Sequence, residues 1–111
     1  MSYPTYDLTI REVMEEGWKN SEAHGFAGTS TEAHIAMMHS ELSEAFEEHR
    51  AGNDPFYIVA GKPEGLLTEL ADTVIRVCVY CQEHGLNLPT AIRAKMAYNR
   101  TRPFKHDGKK Y

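Results

Sequence analysis

The stretch TSTEAHIAMMHSELSEAFEEHR, residues 29–50, decides the fold of this chain. Its first four residues, Thr29 to Glu32, carry the capping-box pattern that starts a helix. Residues 52–55, Gly-Asn-Asp-Pro, end the helical pattern because each of them favours a turn. The stretch therefore predicts one long amphipathic helix. Its apolar side chains recur at the spacing of a single helical face, at Ile35, Met38, Leu42, Ala45 and Phe46.

Three further amphipathic stretches predict three more helices. The third predicted helix opens at residues 61–64, where Pro63 suits the first turn and Glu64 suits a helix N-terminus. Residues 56–60 form a short apolar run, for which we expect an extended loop piece. The other boundaries are Asp7 to about His24 for the first helix, Gly85 at the end of the third, and Leu88 to about Arg100 for the fourth.

The number of helices and their short connections predict an all-α fold. We expect a four-helix bundle-like single domain over residues 1–111, in which about residues 101–111 form a basic C-terminal tail. A bundle of this size buries limited apolar area alone, and its apolar stripes extend far enough to pack against a second copy. We therefore expect homo-oligomerisation, with a homodimer as the smallest form.

Two acidic pairs lie on the second and third predicted helices. Glu41 and Glu44 form one pair, and Glu69 and Asp72 form the other. The spacing of three residues places both carboxylates of a pair on one helical face, at the edge of the apolar stripe. Most such pairs are solvated surface charge, but two pairs on packed helices would gather four carboxylates at one point. Like charges repel, so we expect a cation there, and hard oxygen ligands suit Mg²⁺, with Mn²⁺ also possible.

The net charge of −4 conceals a strong asymmetry along the chain. Residues 1–90 carry five Lys or Arg against 15 acids, whereas residues 91–111 carry seven Lys or Arg against Asp107 alone. The opposite charges of the body and the tail have two interpretations. Either they attract each other within the protein, or the acids bind metal while the tail binds phosphate. A nucleic-acid partner is not expected, because Phe104 and Tyr111 are thin aromatic interleaving for the basic residues and the body of the chain is acidic.

The compartment follows from composition and cysteine usage. The longest apolar run is only a few residues, so no membrane span is predicted. Met1-Ser2-Tyr3-Pro4 begins without a basic region or apolar core, so no signal peptide is predicted. Cys78 and Cys81 fall on an apolar helical stretch without a second C-x-x-C to complete a zinc site. We interpret them as buried reduced thiols of a cytoplasmic protein.

Together these residues resemble the MazG-like all-α nucleotide pyrophosphohydrolases. The resemblance rests on Glu41-Leu42-Ser43-Glu44 followed by Glu69-Leu70-Ala71-Asp72 on consecutive helices, and it extends from about Trp18 to the C-terminus. Many members have an additional acid directly before the first pair, where this chain has Ser40, which leaves the number of metal ions open. The end of the chain also resembles many single-domain members, at Lys95, Asn99, Arg102-Pro103, His106 and Lys109.

The resemblance implies a helical bundle completed as a homodimer or homotetramer, with Mg²⁺ at the acidic residues. It further implies hydrolysis of a nucleoside triphosphate, NTP or dNTP, to the monophosphate and pyrophosphate. The implied metal ligands are Glu41, Glu44, Glu69 and Asp72. Glu41 is either a ligand or the catalytic residue that orients the attacking water. The expected substrate-binding residues are Trp18, for base stacking or else core packing, and Lys95, Asn99, Arg102, His106 and Lys109.

Two alternative functions remain open at this point. Phosphoribosyl-ATP pyrophosphohydrolase shares the acidic pairs, although the basic ending after Asn99 argues against it. A helical regulator or adaptor without catalytic activity would use the same acids only as surface charge. Magnesium-dependent release of pyrophosphate separates an enzyme from an adaptor, and a substrate panel separates the two enzymes.

Overall fold

A computed structural model describes residues 5–103 of the chain. The described part is mainly helical, as predicted, and contains one small antiparallel hairpin that the all-α prediction lacks. Within it no helix is both long enough and apolar enough to cross a membrane. The elements are α1 (Ile10–Ala23), α2 (Thr31–Arg50), β1 (Tyr57–Val59), β2 (Lys62–Glu64), α3 (Leu66–Glu83) and α4 (Leu88–Asn99).

Local capping sets the starts of the first two helices. Thr9 accepts a hydrogen bond from the Glu12 backbone at 3.0 Å, and the Glu12 side chain accepts one from the Thr9 backbone at 3.1 Å. This capping box starts α1 three residues later than Asp7. The cap of α2 is Ser30, whose hydroxyl accepts from the Ala33 backbone at 3.1 Å. The predicted box beginning at Thr29 is therefore wrong by one residue.

The predicted start of the third helix at residues 61–64 is wrong, because these residues form the hairpin. Strands β1 and β2 pair antiparallel around Ala60 and Gly61, whose φ values of 50° and 81° are those of a tight hairpin turn. Helix α3 begins only after Gly65, at a φ of 107°. A Cβ at Gly65 would collide with the carbonyl oxygen of Pro55, and that oxygen also accepts from the Leu67 backbone at 2.8 Å. This long-range contact holds the hairpin against the start of α3.

Helix α3 lies at the centre of the fold, with α2 and α1 packed against it and α4 lying mainly against α1. Met14 and Cys78 are fully buried, and Cys81 joins them in the core. Both cysteines are unbonded, so the prediction of buried thiols is confirmed. Gly17 lets α1 approach α3, since a Cβ there would lie 3.0 Å from Val79 Cγ2. This close approach explains why glycine is present inside a helix.

Much apolar surface stays exposed outside this core. Helix α4 has no buried residue. The total accessible surface is 8567 Å², whereas a compact monomer of 12.6 kDa exposes about 6,200 Å². One chain therefore leaves much of its predicted apolar stripes uncovered. The large apolar side chains exposed on α2 and α3 are Ile35, Leu42, Phe46, Leu67, Leu70, Val74 and Ile75.

Candidate metal centre

The packing of α2 on α3 brings three of the four predicted carboxylates together. One carboxylate oxygen each from Glu41, Glu69 and Asp72 lies within 4.8 Å of the others. Glu41 is 8% exposed, Glu69 is half-buried, and Asp72 is the most exposed of the three. Glu44 is exposed on the next turn of α2 and adjoins Glu69 without joining the group of three. We call Glu41, Glu69 and Asp72 the acidic triad.

The charged form of Glu69 is disfavoured by its surroundings. Its Oε2 is buried and has no hydrogen-bond partner among the described residues. Burial first, and then the neighbouring carboxyl groups of Glu41 and Glu44, together raise the pKa of Glu69 to about 8. Burial, followed by the charge of Glu41, also raises the pKa of Asp72. Without a cation, the triad therefore retains protons at pH values where exposed carboxyl groups are ionised.

Arg76 supplies a positive charge at the triad, and the sequence pattern alone had predicted no role for it. Its Nε and Nη2 each lie 3.0 Å from Glu41 Oε1. The charge of Arg76 also lowers the pKa of Asp72, against the larger effect of burial. Asp72 and Arg76 are four residues apart on α3, so they share a helical face. This spacing is the feature of the sequence that could have placed Arg76 at the acidic site. Arg76 offsets part of the triad's negative charge and holds Glu41 in place.

The donor set of the triad fits Mg²⁺ or Mn²⁺. All three donors are carboxylate oxygens, the hard ligands that these ions prefer. An octahedral Mg²⁺ with ligands at about 2.1 Å holds opposite oxygens about 4.2 Å apart, so a spread of up to 4.8 Å requires only a small adjustment. The buried, unpartnered Oε2 of Glu69 is an atom that a cation would satisfy.

Two concave regions flank the triad. The first, the α1–α3 cavity, has a volume of about 280 Å³ and reaches the metal centre at Asp72 and Arg76. The second, the acidic recess, has a volume of about 590 Å³ and reaches it at Glu44 and Glu69. The only described cation lining the acidic recess is Lys62, which pairs with Glu64 at 3.3 Å. An anionic ligand therefore needs a bound metal, or cations from elsewhere, to occupy this recess.

The predicted substrate-binding residues that the structure describes line neither region in this chain. Lys95 and Asn99 lie on α4, and Arg102 follows it, but none of the three lines the α1–α3 cavity or the acidic recess. The ammonium group of Lys95 lies 4.8 Å from the ring centroid of Tyr98. Trp18 is half-buried on α1 and lines neither region. The remaining two, His106 and Lys109, lie outside the described residues.

A second polar contact fixes the loop between α1 and α2 against α3. Glu83 accepts from the Gly28 backbone at 2.8 Å, and its other oxygen lies 3.3 Å from His34 Nε2. The Gly28 hydrogen bond is the largest effect lowering the pKa of Glu83. His34 is 5% exposed and packs edge-on against Tyr80, and its Nδ1 has no partner among the described residues. Nothing in the sequence pattern signals this contact, because His34 and Glu83 are 49 residues apart.

Comparison with known proteins gave no match for this chain among protein-family models, curated proteins or solved structures.

Proposed function

We propose that this protein is a MazG-like, magnesium-dependent nucleoside triphosphate pyrophosphohydrolase, which converts an NTP or dNTP and water into a nucleoside monophosphate and pyrophosphate. The observation that carries the proposal is the convergence of Glu41, Glu69 and Asp72 from two helices around a buried, unpartnered carboxylate oxygen. A solvated acidic surface would leave its carboxylates apart and hydrated. Three carboxylates held together in a partly dry site favour a cation-binding role.

We assign the carboxylates of the site two roles, metal binding and orientation of the attacking water, according to their positions. Glu69 and Asp72 would hold Mg²⁺ together with Glu41, and Glu44 beside Glu69 would be a further ligand. The bound ion would neutralise charge on the phosphate oxygens and lower the pKa of a water molecule. Glu41 is fixed by Arg76, so its carboxylate orients water for attack at the α-phosphorus.

The charge of the substrate explains the need for the metal and the basic tail. A nucleoside triphosphate carries about four negative charges near neutral pH, and it approaches a site built from carboxylates. Lys95, Asn99 and Arg102 do not line the site of their own chain, although the predicted roles of these residues require contact with phosphate. We therefore propose that α4 and the tail, including His106 and Lys109, serve the metal centre of a neighbouring copy.

We further propose that the active form is a homodimer or homotetramer. The Cα radius of gyration is 16.5 Å, whereas a compact chain of this length has about 13 Å. The surface in excess of a compact monomer is on the order of 2,000 Å² per chain, which falls within the roughly 1,000–2,500 Å² that each partner contributes to a large obligate interface. Ile35, Leu42 and Phe46 share one exposed face of α2, and Leu67, Leu70 and Val74 share one of α3.

A helical adaptor is the second candidate, and the same exposed apolar faces favour it. An adaptor needs no particular arrangement of its acids, however. In an adaptor, two features would destabilise the fold without serving a function. These are the burial of Glu41, which is 8% exposed, and the unpartnered Oε2 of Glu69. This cost favours the enzyme over the adaptor.

Isotope labelling tests the proposed reaction directly. Hydrolysis of a triphosphate in ¹⁸O-labelled water with Mg²⁺ should place the label in the monophosphate, because water attacks the α-phosphorus, and should release unlabelled pyrophosphate. Mass spectrometry of the products reads this outcome. Release of inorganic phosphate and a nucleoside diphosphate would contradict the proposal. So would a failure to hydrolyse any triphosphate.

A further inference from the structure

We propose that the α1–α3 cavity binds the base of the nucleotide and that the carboxamide of Asn20 recognises the hydrogen-bonding edge of that base. This inference rests on the proposed function, because it assigns the part of the substrate that lies beyond the phosphates. It names a binding site that the acidic motifs do not include.

The position of the cavity supports a shared ligand with the metal centre. Asp72, a member of the acidic triad, and Arg76, which holds Glu41, both line the cavity. A molecule whose phosphates lie at the triad can therefore extend into the cavity without leaving the protein surface. The acidic recess, on the Glu44 and Glu69 side, suits a base less well because five of its ten described lining residues are glutamates and none is aromatic.

The size and lining of the cavity suit a flat heterocycle. Its volume of about 280 Å³ lies near the lower end of the range of about 300–1,000 Å³ for small-molecule sites, so it fits a base better than a whole nucleotide. Gly17 contributes to the lining, and the absence of a side chain there keeps the α1 side open. The apolar lining is Phe26, Met37, Ile75 and Val79, of which Phe26 provides an aromatic ring for stacking.

Some polar groups that line the cavity already form hydrogen bonds within the protein, and others do not. Thr29 donates to the Phe26 carbonyl at 2.8 Å, so its hydroxyl proton is used. His34 Nε2 lies against Glu83, whereas its Nδ1 has no hydrogen-bond partner among the described residues. The Asn20 carboxamide and the Ser21 hydroxyl have no hydrogen-bond partner within residues 5–103. Asn20 is exposed at the cavity, and Ser21 is half-buried.

Asn20 therefore has both halves of its amide available to a ligand. A carboxamide presents a donor and an acceptor side by side, which matches the adjacent donor and acceptor on the edge of a nucleobase. The Asn20 backbone carbonyl accepts from His24, so the helix end does not depend on the side chain. Trp18, expected from the sequence to stack on the base, does not line this cavity. The structure thus favours Asn20 over Trp18 as the residue that recognises the base.

The test combines a binding measurement without phosphate or metal and a kinetic one. Nucleosides titrated into the full chain in EDTA, followed by ¹⁵N NMR, should shift the Asn20 side-chain amide and the cavity residues. Asn20→Leu, which keeps the size and removes both hydrogen-bonding groups, should abolish these shifts. The matched control is Gln82→Leu, which removes a carboxamide of α3 that does not line the cavity.

In the kinetic part, kcat/KM is measured for the best and the poorest triphosphate. Asn20→Leu should reduce the ratio between them at least tenfold, and Gln82→Leu should leave it unchanged. Asn20→Asp, which keeps the acceptor and loses the donor, should change the order of preference among bases. A preference retained in both Asn20 variants, or nucleoside shifts that map elsewhere, would overturn the base site while leaving the hydrolysis intact. Failure of the hydrolysis itself would appear as inactivity of the wild-type protein toward every triphosphate.

Discussion

The guanidinium group of Arg76 on α3 contacts Glu41 on α2 at two points, from Nε and from Nη2, each 3.0 Å from the same carboxylate oxygen. The Glu41 side chain is 11% exposed and that of Arg76 is 36% exposed. The contact joins the two helices at the acidic triad. It holds one member of the triad in position and offsets part of its charge.

Arg76→Gln should therefore weaken both the fold and the activity. Removing the cation leaves the Glu41 carboxylate buried without its partner, for which we expect a loss of about 1–2 kcal/mol in unfolding free energy. This is less than the ~3–5 kcal/mol of a fully buried pair because Arg76 is partly solvated. We expect kcat to fall at least tenfold because Glu41 loses its orientation.

Chemical denaturation and steady-state kinetics measure these two effects. The matched control is Arg50→Gln, which breaks the exposed Arg50–Glu47 pair at 3.2 Å and should cost less than ~0.5 kcal/mol. Equal effects of the two substitutions would show that the Arg76–Glu41 contact has no special role.

The raised pKa of Glu69 predicts a pH-dependent stability in the absence of metal. Its pKa is about 8 in the folded state against an ordinary value of 4.5, so between these values the folded protein holds a proton that the unfolded chain has lost. Folding then takes up a proton, and stability falls as pH rises from about 4.5 to 8. Glu69→Gln cannot titrate there, so the variant should gain stability relative to wild type across this window.

Urea unfolding in EDTA at pH 5, 6.5 and 8 measures this difference. Parallel pH dependences of wild type and Glu69→Gln would show that Glu69 titrates as an ordinary carboxyl group. The same protonation competes with metal, so Mg²⁺ affinity in wild type should rise with pH up to about 8.

The oligomer proposal predicts that a charge on the exposed apolar face of α2 separates the copies. Leu42→Glu places a carboxylate between Ile35 and Phe46, where a packed interface would have to bury it. Light scattering should show a dimer or tetramer for wild type and a shift toward 12.6 kDa for the variant. The control is Ala36→Glu, about 100° around the helix from Ile35. A wild-type monomer at micromolar concentration would contradict the proposal.

Truncation after Thr101 tests the role proposed for the basic tail. The truncated chain lacks Arg102, His106 and Lys109 and should keep its helices and its Mg²⁺ binding. Because each charged contact to phosphate contributes roughly 1.5–3 kcal/mol, loss of two should raise KM for triphosphate more than tenfold. Circular dichroism, calorimetry with Mg²⁺ and kinetics measure the three properties. An unchanged KM would show that the tail does not contact the substrate. If truncation instead abolished salt-sensitive binding of nucleic acid, the tail would be a nucleic-acid-binding segment.

The acidic site was predictable from sequence to the extent that helical periodicity determines it. The spacing within each pair fixes which face of α2 or α3 carries the carboxylates, so the convergence of Glu41, Glu69 and Asp72 follows once the helices pack. Periodicity does not determine how the helices are aligned along their axes. Glu44 is consequently set apart from the triad, and Arg76 takes the position beside Glu41.

The parts of the fold that were mispredicted depend on contacts between distant residues. Pro63 and Glu64 fit a helix start by local preference, but the turn at Ala60 and Gly61 and the close approach of Gly65 to Pro55 favour the hairpin. The α1–α3 cavity likewise forms from three helices and a loop. No pattern within one segment of the chain indicates it.

Pyrophosphate release from a panel of NTPs and dNTPs with Mg²⁺ is the decisive measurement for the proposed hydrolysis, with wild type compared to Glu69→Ala and Asp72→Ala. Alanine preserves the helix and removes a metal ligand. We expect wild type to release pyrophosphate only with the metal, and each variant to lose at least ~10²-fold in rate while its circular dichroism stays normal. The exposed acid Glu15 of α1, replaced by alanine, serves as the control and should leave the rate unchanged. Folded Glu69→Ala and Asp72→Ala variants with wild-type rates, or a wild-type protein inactive toward every triphosphate, would contradict the account.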